Sequence, residues 1–280
     1  MKKNNLSFCA LEVKNNDYYR YICCLFAPEY LRERLFTLYA FNHEIAKVKD
    51  IVSEPMIGMI RLAWWREALD EIYSGKQVRK HEVTRPLQEL VNETGLPREF
   101  LEKIIDAREQ ELNLITPANI EALKQYIDAT STSLLLASLY IVGIKDKPAT
   151  DIAYHIGTAY SLVGIMRAAR WNAGKRYILF PKDMLDKNNI TEDDIAEGRN
   201  LDKTKIIVQQ LCDNVEINLR QAYILRKNLP AEALPVYLHT TLARFFLNNI
   251  IRNDYDLFYK DLEKGKLKIL LKIFLEGYFH

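Results

Sequence analysis

Glycine and proline are scarce, ten and nine in 280 residues, below the roughly 12% that the two supply in average usage. A chain of many short strands and tight turns needs more of both, so a mainly helical fold is expected. Charge of one sign is also missing, since 39 Lys+Arg stand against 37 Asp+Glu for a net +2. That balance, with no long Lys/Arg run, does not suit the gripping of a polyanion, and no nucleic acid is expected as partner. Cysteine is limited to Cys9, Cys23, Cys24 and Cys212, without CxxC spacing. This predicts reduced, buried thiols in a cytoplasmic protein rather than a zinc or redox site. No apolar run reaches the ~20 residues of a bilayer span, and the longest, Ser133 to Ile144, reads as a buried core helix. The opening Met-Lys-Lys-Asn-Asn lacks the apolar core of a signal peptide and the Arg/Ser-rich pattern of a transit peptide.

What is present is an ordinary globular mixture, 49% apolar and 27% charged residues. No repeat, low-complexity tract or flexible linker interrupts it, which predicts one domain over residues 1–280. From Pro28 in a first turn, Leu31, Leu35, Leu38, Phe41, Ile45 and Val48 recur at three- and four-residue spacing, predicting an amphipathic helix over 28–52. Pro55 starts the next helix and Ser74-Gly75 stops it. Further helices are predicted over 84–94, 98–113, 119–144 and 149–170, with Asn119 and Thr150 as caps, then 202–228, 231–254 and 266–279. Asn172 to Asn189, with Gly174, Tyr177-Ile178-Leu179-Phe180 and Pro181, reads as an extended excursion. Thr191 followed by Asp194 reads as a box capping a short helix.

Two stretches on consecutive helices, Leu38 to Pro55 (LYAFNHEIAKVKDIVSEP) and Arg61 to Lys76 (RLAWWREALDEIYSGK), stand out, as does Met166 to Leu185 (MRAARWNAGKRYILFPKDML). With His81 to Leu87, Glu109 to Leu112 and Tyr126 to Thr130, their order and spacing resemble the squalene/phytoene synthase family along nearly the whole chain. The resemblance implies an all-α isoprenoid-synthase-like bundle, with helices around a central cavity. It also implies two Asp-rich motifs on facing helices that hold Mg²⁺ and anchor two prenyl diphosphates. In a DDxxD motif the first and fifth Asp share one helix face, which suits a hard cation that takes oxygen ligands.

The departures from that pattern carry the functional reading. At the first motif this chain has Ala46-Lys47-Val48-Lys49-Asp50, so a methyl and an ammonium replace the two leading carboxylates and Asp50 alone remains. At the second, where the family has Asp-x-x-Glu-Asp after the arginine corresponding to Arg167, it has Ala168-Ala169-Arg170-Trp171-Asn172. Ser161 and Gly164 stand where synthases have Gln and Asn, and Tyr18-Tyr19-Arg20-Tyr21 where they have small hydroxyls. Gaining Lys47, Lys49 and Arg170 inverts the charge that draws a divalent cation, so no cofactor is expected and metal-dependent ionisation is disfavoured. The combination resembles the family's non-synthase branch, typified by a mitochondrial assembly factor of respiratory complex I. That resemblance implies an assembly or interaction role with a complex I subunit or assembly intermediate as partner.

A rival reading is a divergent prenyl-diphosphate transferase in which Glu44, Asp50, Glu111 and Asp128 substitute as Mg²⁺ ligands; those carboxylates would have to converge on one point. Lys47, Asp50, Arg167, Arg170, Asn172, Lys175 and Arg176 are ligand-binding candidates; the five cations among them read either as the lining of a cavity that accepts a phosphate or phospholipid head group, a phosphate-bearing lipid, without metal, or as solvated charges and structural ion pairs. Trp64 and Trp65 cannot both face the core. His43, His81, His155 and His239 lie at no metal-ligand spacing. Residues 264–279, basic and apolar-rich, read either as a terminal helix docked on its own domain or as a peripheral membrane contact on the inner face of the membrane.

Overall fold

The computed structural model describes residues 6–174, 177–259 and 264–278, with the side chains of Arg170, Ala173 and Asn228 outside the description. Every regular element among the described residues is a helix: α1 Phe8–Asn16, α2 Tyr18–Cys24, α3 Glu29–Ala46, α4 Val48–Ile51, α5 Pro55–Tyr73, α6 Thr84–Thr94, α7 Arg98–Glu111, α8 Ile120–Ile127, α9 Ser133–Ile141, α10 Lys147–Ala173, α11 Lys182–Lys187, α12 Glu192–Ala196, α13 Leu201–Leu225, α14 Leu234–Arg252 and α15 Lys266–Tyr278. A π turn, Asp128–Thr132, joins α8 to α9. The chain divides into two compact units, the first of Met1–Asn113, Ser133–Thr150 and Pro230–Val236, the second of Leu114–Thr132, Asp151–Leu229 and Tyr237–His280.

The first unit is organised on α3, which α1, α6, α7 and α9 pack against. Leu31, Leu35, Phe36, Leu38, Tyr39, Phe41 and Ile45 are all buried, and from Leu35 to Asn42 every residue of α3 is buried, so this part of the helix is enclosed on all sides. Ser138 Oγ of α9 donates to the Tyr39 hydroxyl at 3.1 Å, and the Arg20 guanidinium of α2 lies 5.5 Å from the Tyr39 ring. In the second unit, Met166 of α10 meets Cys212 of α13 at 3.8 Å between sulfurs, and His239 of α14 stands edge-on to Tyr160 of α10. All four cysteines are buried thiols, as their placement predicted. Burial pushes Cys9 up to about 11 and Cys212 up to about 12, away from reactive thiolate. No helix among the described residues is long and apolar enough to cross a membrane.

Several boundaries differ from the sequence reading, each for a local reason. Pro28 caps α3 from outside, and the expected helix over 28–52 breaks at Lys47 into α3 and α4. The expected 119–144 helix is interrupted because Thr130 Oγ1 bonds back to the Tyr126 carbonyl at 2.8 Å and Thr132 Oγ1 to Asp128 at 3.2 Å, competing with the helical ladder. Helix α10 starts at Lys147 rather than at Thr150, because Asp146 accepts from the Ala149 N–H at 2.9 Å. Of the expected excursion, Asn172 and Ala173 still belong to α10 and buried Tyr177 to Phe180 form no helix; α11 follows Pro181, with the Lys182 and Asp183 N–H groups bonded to the carbonyls of Pro117 and Ala118.

The box at Thr191 and Asp194 forms as expected, with the Thr191 N–H and hydroxyl donating to Asp194 at 3.0 and 2.9 Å and the Asp194 N–H donating back at 3.1 Å. Those donors, Thr191 N–H first and Arg199 last, hold the Asp194 carboxyl at about 2. A carboxyl held low when folded stabilises above its unfolded value and loses that contribution as pH falls through its folded one. Acid titration of Asp194→Asn is therefore expected to lose part of the stability slope between about 3.8 and about 2. Parallel titration of variant and wild type through that window would refute the cap's role.

Candidate functional site

The first carboxylate motif of the resemblance falls at the break between α3 and α4, in the first unit. Because α3 ends at Ala46, Lys47 turns back and donates to Glu44 at 2.5 Å, with Glu12 3.9 Å away. His43 and His81 approach the same two acids, His43 on Glu12 at 3.4 Å and His81 on Glu44 at 3.7 Å. One half-turn on, Lys49 reaches Glu111 of α7 at 2.6 Å, and Arg108 bonds the other oxygen of that carboxylate. The Glu111 side chain is only 1% exposed, so its charge stands where an unpaired anion costs several kcal/mol. Asp50 lies exposed on α4, its N–H bonded to the Lys47 carbonyl.

Trp65 is the buried member of the tryptophan pair, edge-on to Phe41 at 5.5 Å and to His81 at 5.0 Å. Trp64 is half-buried and carries the Arg79 guanidinium 5.0 Å from its ring. Arg79 also forks onto Glu71 and donates to the Trp64 carbonyl, so this segment is held by packing and charge together.

The second motif falls in the second unit, at the end of α10. The Arg167 guanidinium stacks 3.5 Å from the Phe246 ring centre of α14. Asn172 is half-buried, and its carbonyl accepts from the Tyr177 N–H. Trp171 is exposed, and the predicted roles of the Arg170 side chain, Lys175 and Arg176 lie outside the described residues. Desolvation raises the Asp128 carboxyl against the opposing hydrogen bond from Thr132.

The substitute-ligand reading does not fit this arrangement. Glu44 and Glu111 each hold a lysine at 2.5 to 2.6 Å, so their lone pairs face ammonium groups where Mg²⁺ would need them. Among the described residues, no group of three or more His, Cys, Asp or Glu is placed to hold a metal ion. Sequence reasoning saw the two lysines as gained charge and missed their partners. A signal existed for Glu111: it follows Ile104 by seven positions on α7, on the face that Leu101, Ile104 and Ile105 bury.

Comparison with known proteins bears on the scaffold and the family. The human NADH dehydrogenase (ubiquinone) complex I, assembly factor 6 is 32% identical over 272 residues, 97% of this chain and 81% of that protein. The bovine protein of the same description is 31% identical over 271 residues, again 97% and 81%. Among solved structures, squalene synthase HpnC from Alicyclobacillus acidocaldarius superposes with a TM-score of 0.79 at 21% identity, covering 89% of this chain and 93% of that one, which establishes the isoprenoid-synthase-like helical fold. The family model for squalene/phytoene synthase matches residues 13–271, and with a relative of this identity and coverage the conclusion is direct: the chain belongs to the squalene/phytoene synthase family.

Proposed function

We propose that this chain is an assembly factor for respiratory complex I, the NADH:quinone oxidoreductase, built on a prenyl-synthase scaffold that no longer ionises prenyl diphosphates. The carrying observation is the pairing of Lys47 with Glu44 and of Lys49 with buried Glu111, which spends on internal ion pairs the acids of the first-motif region. Support comes from relatives described as complex I assembly factors that align with 97% of the chain. In this reading the partner is a complex I subunit or assembly intermediate, a phosphate-bearing lipid is a subsidiary ligand, and no cofactor takes part. The protein works in the cytoplasm, at the inner face of the membrane.

The expected result with pure protein, farnesyl or geranylgeranyl diphosphate, Mg²⁺ and NADPH is no pyrophosphate release and no lipid product above blank. Turnover abolished by Asp50→Ala would overturn the reading and restore the transferase. Deletion of the gene is expected to lower the amount of assembled NADH:quinone oxidoreductase, with recovery on complementation by the wild-type chain.

A further inference from the structure

A groove of about 830 Å³ runs over the second unit, lined by α13, α14 and α15. Two of its cations are committed: Arg226 pairs with Glu276 at 2.7 Å and stacks on the Tyr237 ring, and Arg244 is held by both oxygens of Glu216. Those pairs engage both acids of the lining. Arg220 and Lys272 line the same groove with no acidic partner among the described residues, beside Tyr223, whose side chain is largely exposed. A groove with two uncommitted cations and an aromatic at its mouth has the chemistry of a phosphate site, since Arg and Lys both bind phosphate oxygens directly.

The wall of that groove belongs to a helix with two apolar faces. Ile269 and Ile273 of α15 are fully buried in the second unit. Leu267, Leu271, Phe274 and Tyr278 recur at four, three and four residues on the opposite side, and all are exposed, Leu267 by 81%. Lys266 borders this stripe on one edge and Lys268 and Lys272 on the other, none with an acidic partner among the described residues. Leu275 is exposed next to the stripe and also lines the groove, so the two features adjoin. Self-pairing of two such helices would set lysine edges against lysine edges, a like-charge juxtaposition. An anionic lipid surface supplies apolar depth and phosphate charge in one plane, complementary to both features.

We infer that α15 and the adjoining groove form a membrane-surface site, with the Leu267 to Tyr278 stripe entering the interface of an anionic phospholipid bilayer while Arg220 and Lys272 hold a lipid phosphate. The inference deepens the assembly reading by naming the surface on which the chain works, and rests on that reading for its setting alone. The test is co-sedimentation of the full chain with vesicles of phosphatidylcholine alone or mixed equally with phosphatidylglycerol. Binding is expected to the mixed vesicles only, weakened by salt and not reversed by inorganic phosphate.

Neutralising Lys266, Lys268 and Lys272 to Gln should lower the partition coefficient roughly fivefold for each lysine, about a hundredfold together. Leu271→Ser with Phe274→Ser should abolish binding with unchanged circular dichroism, because both side chains are exposed. Equal partition to both vesicle types, displacement by inorganic phosphate, wild-type binding by the lysine variant, or a stripe variant that alters only the oligomeric state would each overturn the inference. A chain that fails to bind vesicles yet restores complex I on complementation sinks this inference and leaves the assembly reading standing. Vesicle binding with normal complex I in the deletion strain does the reverse.

Discussion

Replacing Lys49 by methionine is expected to lower the stability of the chain by about 3 kcal/mol, seen as a fall of several degrees in Tm. The reason is the asymmetry of buried ion pairs: the pair itself is near neutral in free energy, but the partner left behind is a carboxylate out of reach of water. Glu111 is that partner, 1% exposed, and Arg108 on its other oxygen keeps the expected cost at the low end of the range. Glu111→Gln added to Lys49→Met should recover much of the loss, so the two changes are strongly non-additive in a double-mutant cycle. Additive effects would show that the lysine does not neutralise this carboxylate. The exposed Arg85 and Glu89 pair on α6 supplies an internal comparison, where Arg85→Ala is expected to change stability by less than about 0.5 kcal/mol.

Gly157→Ala, on α10, should destabilise by roughly 1–3 kcal/mol although alanine is the better helix former. A Cβ there would lie 2.7 Å from Thr132 Oγ1 and 3.0 and 3.1 Å from the Thr132 Cα and N. The hydroxyl can rotate away, but the Thr132 backbone cannot, because it forms the end of the π turn. Accommodation therefore means moving the turn against the helix. Gly164→Ala, on the same helix with nothing within 4 Å, is expected to stabilise by up to about 1 kcal/mol through propensity alone. Urea unfolding of the two variants side by side checks the sign. If both changes stabilise, the close approach at Thr132 is not a constraint on the fold.

The elements legible in the sequence are those whose ends carry their own chemistry. Pro55 at the first turn and Ser74-Gly75 at the last fix α5, a left-handed Gly95 ends α6, and the Thr191 and Asp194 box opens α12. The break at Lys47 was illegible because Val48 is buried and continues the apolar spacing across it. The π turn was illegible because no Pro or Gly marks Asp128 to Thr132 and it depends on side-chain hydroxyls competing with the backbone just before an apolar run. Helices α1 and α2 escaped notice because their main signals are caps, Ser7 and Asp17, on segments too short to establish a period. At the site, the inverted charge of Lys47 and Lys49 could be read directly. Of their partners, Glu44 lies three residues before Lys47 and was within reach of spacing, whereas Glu12 and Glu111 approach through packing. The groove on the second unit drew residues from three helices and left no local pattern at all.

The lysines at the α3–α4 break make the counter-charge of a buried acid part of the polypeptide. A dissolved cation occupies its site in proportion to its supply, and a protein that depends on one gains and loses stability as that supply varies. Lys47 and Lys49 are delivered at a fixed local concentration by the chain itself, whatever the ionic composition around them. In the proposed assembly role, Glu44 and Glu111 therefore need no divalent cation to balance them.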